Sequence, residues 1–503
     1  MRSKRSIYNL ITSIGAQLIL LVLGFIVPRL TLTHYGSETN GYMSLVTQVY
    51  GYIGLLEAGL GAAEVQALYA PVAAGDRHGI SGVINSAKRY YRKVAVAYGT
   101  AVFLLAVILP FAVKSELSPV QMGVYFALFG LPRVLNFWMT QHTRKLLDDE
   151  GKNYVGNLIN LVVSVSSTIS RIILLQLEVS LITLQVAYTF INIFEVLFYY
   201  IYIRKNYRWI DQTADAGPGI LKQRNSFFVQ QICSLILSCT DVLLLSFFCD
   251  LSVTSVYAVY MLIYNALLYL RSTVTSSTSF MLGQIYHEDF DRYQKIHALY
   301  ETAFLWMVFV LYTTAYILAL PFVRLYTANV HDANYLVAEI PLLLTIANCL
   351  GCCYMVDNIL INVAYRAKQT LWQNIGEAAL NLGISLALVK PLGIIGVLIG
   401  TCLSALFRVI VATVYTYRDI FHSSMWQGFR LYLTNFAVLG IVIFLRSRME
   451  IVFSSYLQFI IAGFVTVMAV SVLYTVANLI TNYPLIRGGV IGAWGRLQRY
   501  RNR

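Results

Sequence analysis

Fourteen times along this chain a run of mainly apolar residues recurs, each roughly 18 to 25 long, which is the length that carries an α-helix across a bilayer. The runs are 7–30, 42–70, 92–113, 119–141, 154–176, 181–203, 224–249, 254–282, 298–323, 334–362, 370–389, 393–417, 430–446 and 454–480. Inside lipid every backbone N–H and C=O must be satisfied by the segment itself, so runs of this length fold as helices. The expectation is an all-α integral membrane protein with about 14 transmembrane helices. Its composition agrees, because 58% of its 503 residues are hydrophobic and 12% are charged, against about a quarter charged in soluble domains. The first run is too long for a cleaved signal peptide, and no connection is long enough to hold a separate domain. The seven cysteines all lie in apolar runs; Cys349 and Cys352 have CxxC spacing without a second pair or a nearby histidine, so no metal site is expected.

The net charge of +13 is a topology signal. With the N-terminus, the even-to-odd connections and the C-terminus taken as one side, that side carries 27 of the 37 lysines and arginines and the other side 6. The positive-inside rule then puts both termini in the cytoplasm, and a nucleic-acid partner is not expected. The chain also repeats weakly. "HYGSETNGYMSLVTQVY" aligns with "CDLSVTSVYAVYMLIYN" at an offset of 215, and "GKNYVGNLINLVVS" with "AKQTLWQNIGEAAL" at 216. Nearly equal offsets far apart suggest two six-helix lobes, 1–215 and 216–428, followed by two extra helices and a basic tail over 429–503. Six helices per lobe make the repeats parallel, with a site between them near the bilayer midplane.

Ionisable residues within membrane helices are costly and mark candidate sites. They are Glu57, Glu64, Arg133, Arg171, Glu195, Asp241, Arg271, Glu301, Glu339, Asp357, Glu377 and Arg408. Glu301, Glu339, Glu377, Arg171 and Arg408 fall near expected helix ends, where a side chain can reach the interface. Arg271 stands apart, about 18 Å from the cytoplasmic end of its helix at the helical rise. It opens the stretch "RSTVTSSTS", and helical spacing puts Tyr264, Arg271, Thr275 and Thr278 on one stripe. Such a stripe should line a cavity. A guanidinium presents a planar donor fork suited to phosphate oxygens, so the stripe points to an anionic, phosphorylated substrate, with Arg133 as the partner cation. Pro132 beside it is expected to open that helix. Two other readings stay open: a helix that ends at Leu270 with a loop after it, and an ion pair of Arg271 with Asp241. Of the 36 tyrosines most are read as interfacial anchors and some as sugar-stacking rings in a cavity. The tail "GAWGRLQRYRNR" reads either as a binder of anionic lipid or as an ordinary positive-inside flank.

Three stretches, "NLITSIGAQLILLVLGFIVPRLTLTHYGSETNGY", "YIGLLEAGLGAAEV" and "RAKQTLWQNIGEAALNLGISLALVKPLGIIGVLIGTCLSALFR", taken in order resemble the multidrug/oligosaccharidyl-lipid/polysaccharide exporter superfamily. Asn9, Gly15, Pro28, Arg29, Gly36, Gly41, Gly59, Gly61, Gly393, Gly396 and Gly400 carry the likeness. Within it the chain looks most like the flippases that move undecaprenyl-linked repeat units of O-antigen and capsule. The resemblance implies two lobes working by alternating access, with a cationic cavity for pyrophosphate and glycan while the polyprenyl tail stays in lipid. It also implies a place in the bacterial inner membrane alongside other polysaccharide-assembly proteins. One departure matters. Related lipid II flippases have cavity-facing arginines on helices 1 and 2, whereas helix 2 here carries Glu57 and Glu64.

No nucleotide-binding motif and no cofactor is expected. Coupling to H⁺ or Na⁺ would fall to Asp241, Asp357, Glu57 and Glu64, since a carboxylate can carry a proton or ligate sodium. Two rivals remain: a cation-coupled multidrug exporter of the same superfamily and, from another class, a membrane polysaccharide polymerase or ligase. The latter needs a long external loop, and the external connections here are all short.

Overall fold

In the computed structural model the backbone is described for residues 2–58, 60–150, 152–214 and 224–501, and side chains for 23–58, 60–61, 63–147, 150, 152, 154–214 and 231–482. The described residues are helical almost throughout. In order the helices are α1 (Arg2–Ile53), α2 (Leu60–Ala74), α3 (Arg77–Ala112), α4 (Pro119–Met139), α5 (Gln141–Asp149), α6 (Asn153–Gln176), α7 (Leu181–Asn206) and α8 (Arg224–Phe248). They continue as α9 (Leu251–Glu288), α10 (Phe290–Tyr326), α11 (Glu339–Cys353), α12 (Met355–Val363), α13 (Leu371–Leu392), α14 (Ile394–Val414), α15 (Trp426–Arg446) and α16 (Tyr456–Arg501).

Eleven helical segments among the described residues are long and apolar enough to span a membrane, and each matches an expected run. The three other expected spans are helical too, with physical reasons for falling outside that set. The first begins in residues whose side chains lie outside the described part. The second, 42–70, is interrupted by a tight turn at Gly54–Glu57 between α1 and α2. The third, α4, is made polar by Pro132, Arg133 and Asn136, yet it runs through Pro132 to Met139. The expected loop over 31–41 is also corrected. α1 continues to Ile53, and Gly36 alone leaves helical geometry, with φ 80° and ψ 176°. A side chain there would be strained, which is why a glycine marks the turn. The expected lobe boundary at 215/216 falls on 215–223, outside the described residues.

The surface matches a lipid solvent. On α3, Val96, Phe103, Val107 and Phe111 are exposed, and on α16 so are Leu457, Phe464, Met468 and Ile480. Contiguous apolar stripes of this size are not left bare in water.

The chain divides into two compact units, Met1–Val256 with Asn329–Ala333, and Tyr257–Ala328 with Asn334–Arg503. Each holds its helices together with the same device. In the first unit, Tyr42 and Tyr50 of α1 donate their hydroxyls to the Met122 and Phe126 carbonyls of α4, both at 2.6 Å. In the second, Tyr260 and Tyr264 of α9 donate to the Tyr335 and Pro341 carbonyls at 2.7 and 2.8 Å. A tyrosine can be buried this deeply because its hydroxyl finds an acceptor. These four tyrosines are core residues and not interfacial anchors. In the second unit α13 and α14 form a tight hairpin. Gly393 turns it with φ 56°, and Gly396 packs so close that a Cβ would come within 2.2 Å of the Leu388 carbonyl oxygen.

Candidate functional site

α9 stays helical from Leu251 to Glu288, so the reading in which it ends at Leu270 is set aside. The local hydrogen bonds explain how seven hydroxyl residues between Ser272 and Ser279 fit in a membrane helix. Ser272 and Thr273 donate to the Tyr269 carbonyl at 2.9 Å, Thr275 to those of Arg271 and Ser272, and Ser276 to Thr273. Ser277 and Thr278 both donate to Val274 at 2.9 Å, and Ser279 to Ser276 at 3.1 Å. Each hydroxyl proton is thus satisfied by the helix's own preceding turn, and the oxygens remain as acceptors. Thr278 is also paired with the Tyr300 hydroxyl at 2.6 Å.

Arg271 is not compensated in this way. Its Nη1 donates to the Cys352 sulfur of α11 at 3.1 Å, and its Nε is buried without a hydrogen-bond partner. A thiol is a weak acceptor and no match for a guanidinium. No carboxylate of its own unit forms an ion pair with it among the described residues. Tyr264, one turn pair before it, is fully buried, bonded to Pro341 and Thr345 and stacked on Tyr312, so it supports the α9–α11 contact.

A second polar group in the same unit is acidic. Glu301 of α10 and Asp357 of α12 are 1% and 0% exposed. Tyr432 and Tyr417 donate to the two Glu301 oxygens at 2.8 and 3.0 Å, and Thr413 donates to Asp357 at 3.2 Å. Tyr432 and Thr413 touch at 3.3 Å, which joins the two carboxylates into one network. His297 Nε2 lies 3.8 Å from Asp357. Among the described residues no lysine or arginine pairs with either acid. Burying two carboxylates with no lysine or arginine beside them is costly, which makes the cluster a candidate for holding a proton or a small cation.

Sequence reasoning singled out Asp357 but took Glu301 for a helix-end residue. The helix starts at Phe290, eight residues earlier than expected, and this draws Glu301 inside. Glu377 and Arg408, also expected near the interface, are buried and face each other at 3.9 Å across the α13–α14 hairpin. Tyr354 donates to Glu377 at 3.1 Å and its ring lies 5.2 Å from the Arg408 guanidinium. The two charges offset each other at ion-pair distance, although the Arg408 Nε and Nη1 make no hydrogen bond.

Apart from Glu339 at the start of α11, the remaining sequence candidates lie in the first unit. Arg133 is exposed on α4, 5.7 Å from the Tyr50 ring and 6.0 Å from that of Phe129. Asp241 is buried on α8 next to Thr240, which meets the Tyr52 hydroxyl at 2.6 Å. Glu57 accepts from Gln141 at 2.8 Å and from Tyr91 at 3.5 Å, and Tyr91 also interacts with the buried Glu64. Glu195 forms an ion pair with Arg144.

No family model and no curated protein sequence matches the chain. Solved structures do. The inward closed lipid II flippase MurJ aligns over 95% of this chain and 100% of its own, with a TM-score of 0.65 and 13% identity. An inward-facing multidrug resistance MATE transporter of the MOP superfamily aligns over 80% of this chain and 97% of its own, at TM-score 0.62 and 16% identity. A MOP superfamily transporter from Pyrococcus furiosus aligns over 86% and 95%, at 0.59 and 16%. The chain shares the fold of these solved structures.

Proposed function

We propose that the chain is an alternating-access flippase of a bacterial inner membrane, with both termini in the cytoplasm. Its cargo is a polyprenyl-pyrophosphate-linked oligosaccharide, the undecaprenyl-linked repeat unit of a polysaccharide, moved from the inner to the outer leaflet. It would work with the membrane proteins that make and polymerise that unit, and it catalyses no covalent step. The observation that carries this reading is Arg271, a half-buried guanidinium on a membrane helix whose closest partner is a thiol. Such a group is stabilised by an arriving phosphate. The likeness to a lipid II flippase supports a lipid-linked cargo. The Glu301–Asp357 network is the coupling element of the proposal, taking up H⁺ or Na⁺.

The acidic network by itself would also suit a cation-coupled drug exporter, and MATE transporters share the fold. Arg271 separates the two readings, since a cationic drug is repelled where a pyrophosphate is held. Expression in a strain that lacks its repeat-unit flippase is expected to restore surface polysaccharide, with no gain in resistance to cationic dyes in an exporter-deficient strain. Dye resistance without polysaccharide would favour the exporter.

A further inference from the structure

The first unit contains a basic pocket that the proposed transport cycle does not use. It has a volume of about 1180 Å³ and is formed by α3, the end of α4, α5, the end of α7 and the segment after it. Lys88, Arg92, Arg204, Lys205 and Arg208 line it, and among the described residues no acidic one does. The pocket lies on the side where the sequence concentrates its lysines and arginines. Asn85 fixes one wall by donating to the Asp211 and Ala214 carbonyls, both at 2.8 Å. Near it Glu150 is already engaged: it is held by Lys152 at 2.5 Å and accepts from Tyr207 at 2.6 Å. The five lining cations have no ion-pair partner among the described residues; Lys88 donates to Gln212 at 2.7 Å, and Arg92 lies 5.5 Å from the Trp138 ring.

A second observation points to a missing ligand. His142 lines the same pocket, is only 7% exposed, and its Nδ1 has no hydrogen-bond partner. Burial first, then the Lys88 and Arg92 charges, push the imidazole down to about 4, so the ring is neutral at physiological pH and adds no charge of its own. Five like charges around one cavity repel each other unless an anion sits among them.

The surroundings say which kind of anion. Phe190, Phe194 and Phe198 form an exposed ladder along α7, and the same helix then presents exposed Ile201, itself a lining residue, about one turn before Arg204 and Lys205, with Arg208 just past its end. The ladder's rings pack on one another at 5.1 and 6.3 Å. Trp138, also lining, is exposed beside it. An acyl chain can lie along that ladder while a phosphate enters among the cations, whereas a soluble anion gains nothing from it. We propose that this pocket binds the phosphate headgroup of a resident anionic phospholipid, whose acyl chains run along the exposed face of α7.

The test uses the purified full-length chain in nonionic detergent, with native mass spectrometry and thermal melting as readouts. Phosphatidylglycerol is expected to bind on the order of tenfold or more tighter than phosphatidylcholine of the same chains, since each cation near a headgroup adds to the attraction. It should raise the melting midpoint where phosphatidylcholine does not. The double variant Arg204→Gln, Arg208→Gln should lose that preference while melting normally in phosphatidylcholine. Should the double variant fail to fold, Lys88→Gln is expected to weaken the preference severalfold. Equal binding of the two lipids, or a preference that survives the substitutions, overturns the proposal. So does millimolar inorganic phosphate reproducing the whole stabilisation, because the site would then be one for a soluble anion. None of these readouts depends on which cargo the protein carries.

Discussion

Replacing Arg271 by alanine is expected to lower translocation of a polyprenyl-pyrophosphoryl sugar about 10- to 100-fold, from the loss of charge-assisted bonds worth about 1.5–3 kcal/mol. The protein should stay as stable as the wild type or become more so. The reason is the asymmetry of its environment: Arg271 donates to Cys352 alone and leaves Nε buried and unpaired, so its removal relieves desolvation without stranding a carboxylate. A structural arginine would behave in the opposite way, with melting and activity falling together. Arg271→Lys keeps the charge and loses the planar fork. It should recover part of the rate, and full recovery would show that any cation suffices. Rates in proteoliposomes, set beside melting midpoints in detergent, distinguish these outcomes.

The second large effect concerns coupling. Asp357→Asn and Glu301→Gln are each expected to abolish the response of transport to an imposed ion gradient. The gradient at stake is substantial, about 2.3 kcal/mol per charge for 100 mV. Asp357→Asn keeps an oxygen acceptor for Thr413, and Glu301→Gln keeps one for a single tyrosine while its amide NH2 donates to the other hydroxyl, so the packing should survive. Glu450→Gln, at an exposed ion pair with Arg324, serves as the control and should transport as the wild type does. Retained gradient response in both network variants would remove Glu301 and Asp357 from the coupling role and return attention to Asp241, Glu57 and Glu64. The assay is uptake of the lipid-linked sugar with and without a proton or sodium gradient.

The fold was legible where one physical rule dominates. Apolar length alone placed the helices, because lipid leaves a backbone no other way to satisfy itself. The charged residues were harder, for two reasons. Helix ends cannot be read closely from composition, and moving the start of α10 from 298 to Phe290 changes Glu301 from an interface residue to a buried one. Partners are also distant in sequence: Glu301 is held by Tyr417 and Tyr432, more than a hundred residues away. Composition could not tell that the serines and threonines after Arg271 would bond to their own helix. That finding narrows the candidate site from a polar stripe to the guanidinium itself. The sequence stripe also included Tyr264, whose hydroxyl the structure commits to Pro341 and Thr345.

Recognition of the cargo through its phosphate is tested most directly by translocation with the purified chain in proteoliposomes. Fluorescent polyprenyl-pyrophosphoryl sugar and the same sugar on a neutral lipid of equal length would be offered side by side. The account predicts rapid transfer of the pyrophosphate-linked sugar, at least tenfold faster than the neutral analogue if charge-assisted bonds are the discriminator. Equal rates for the two would contradict it.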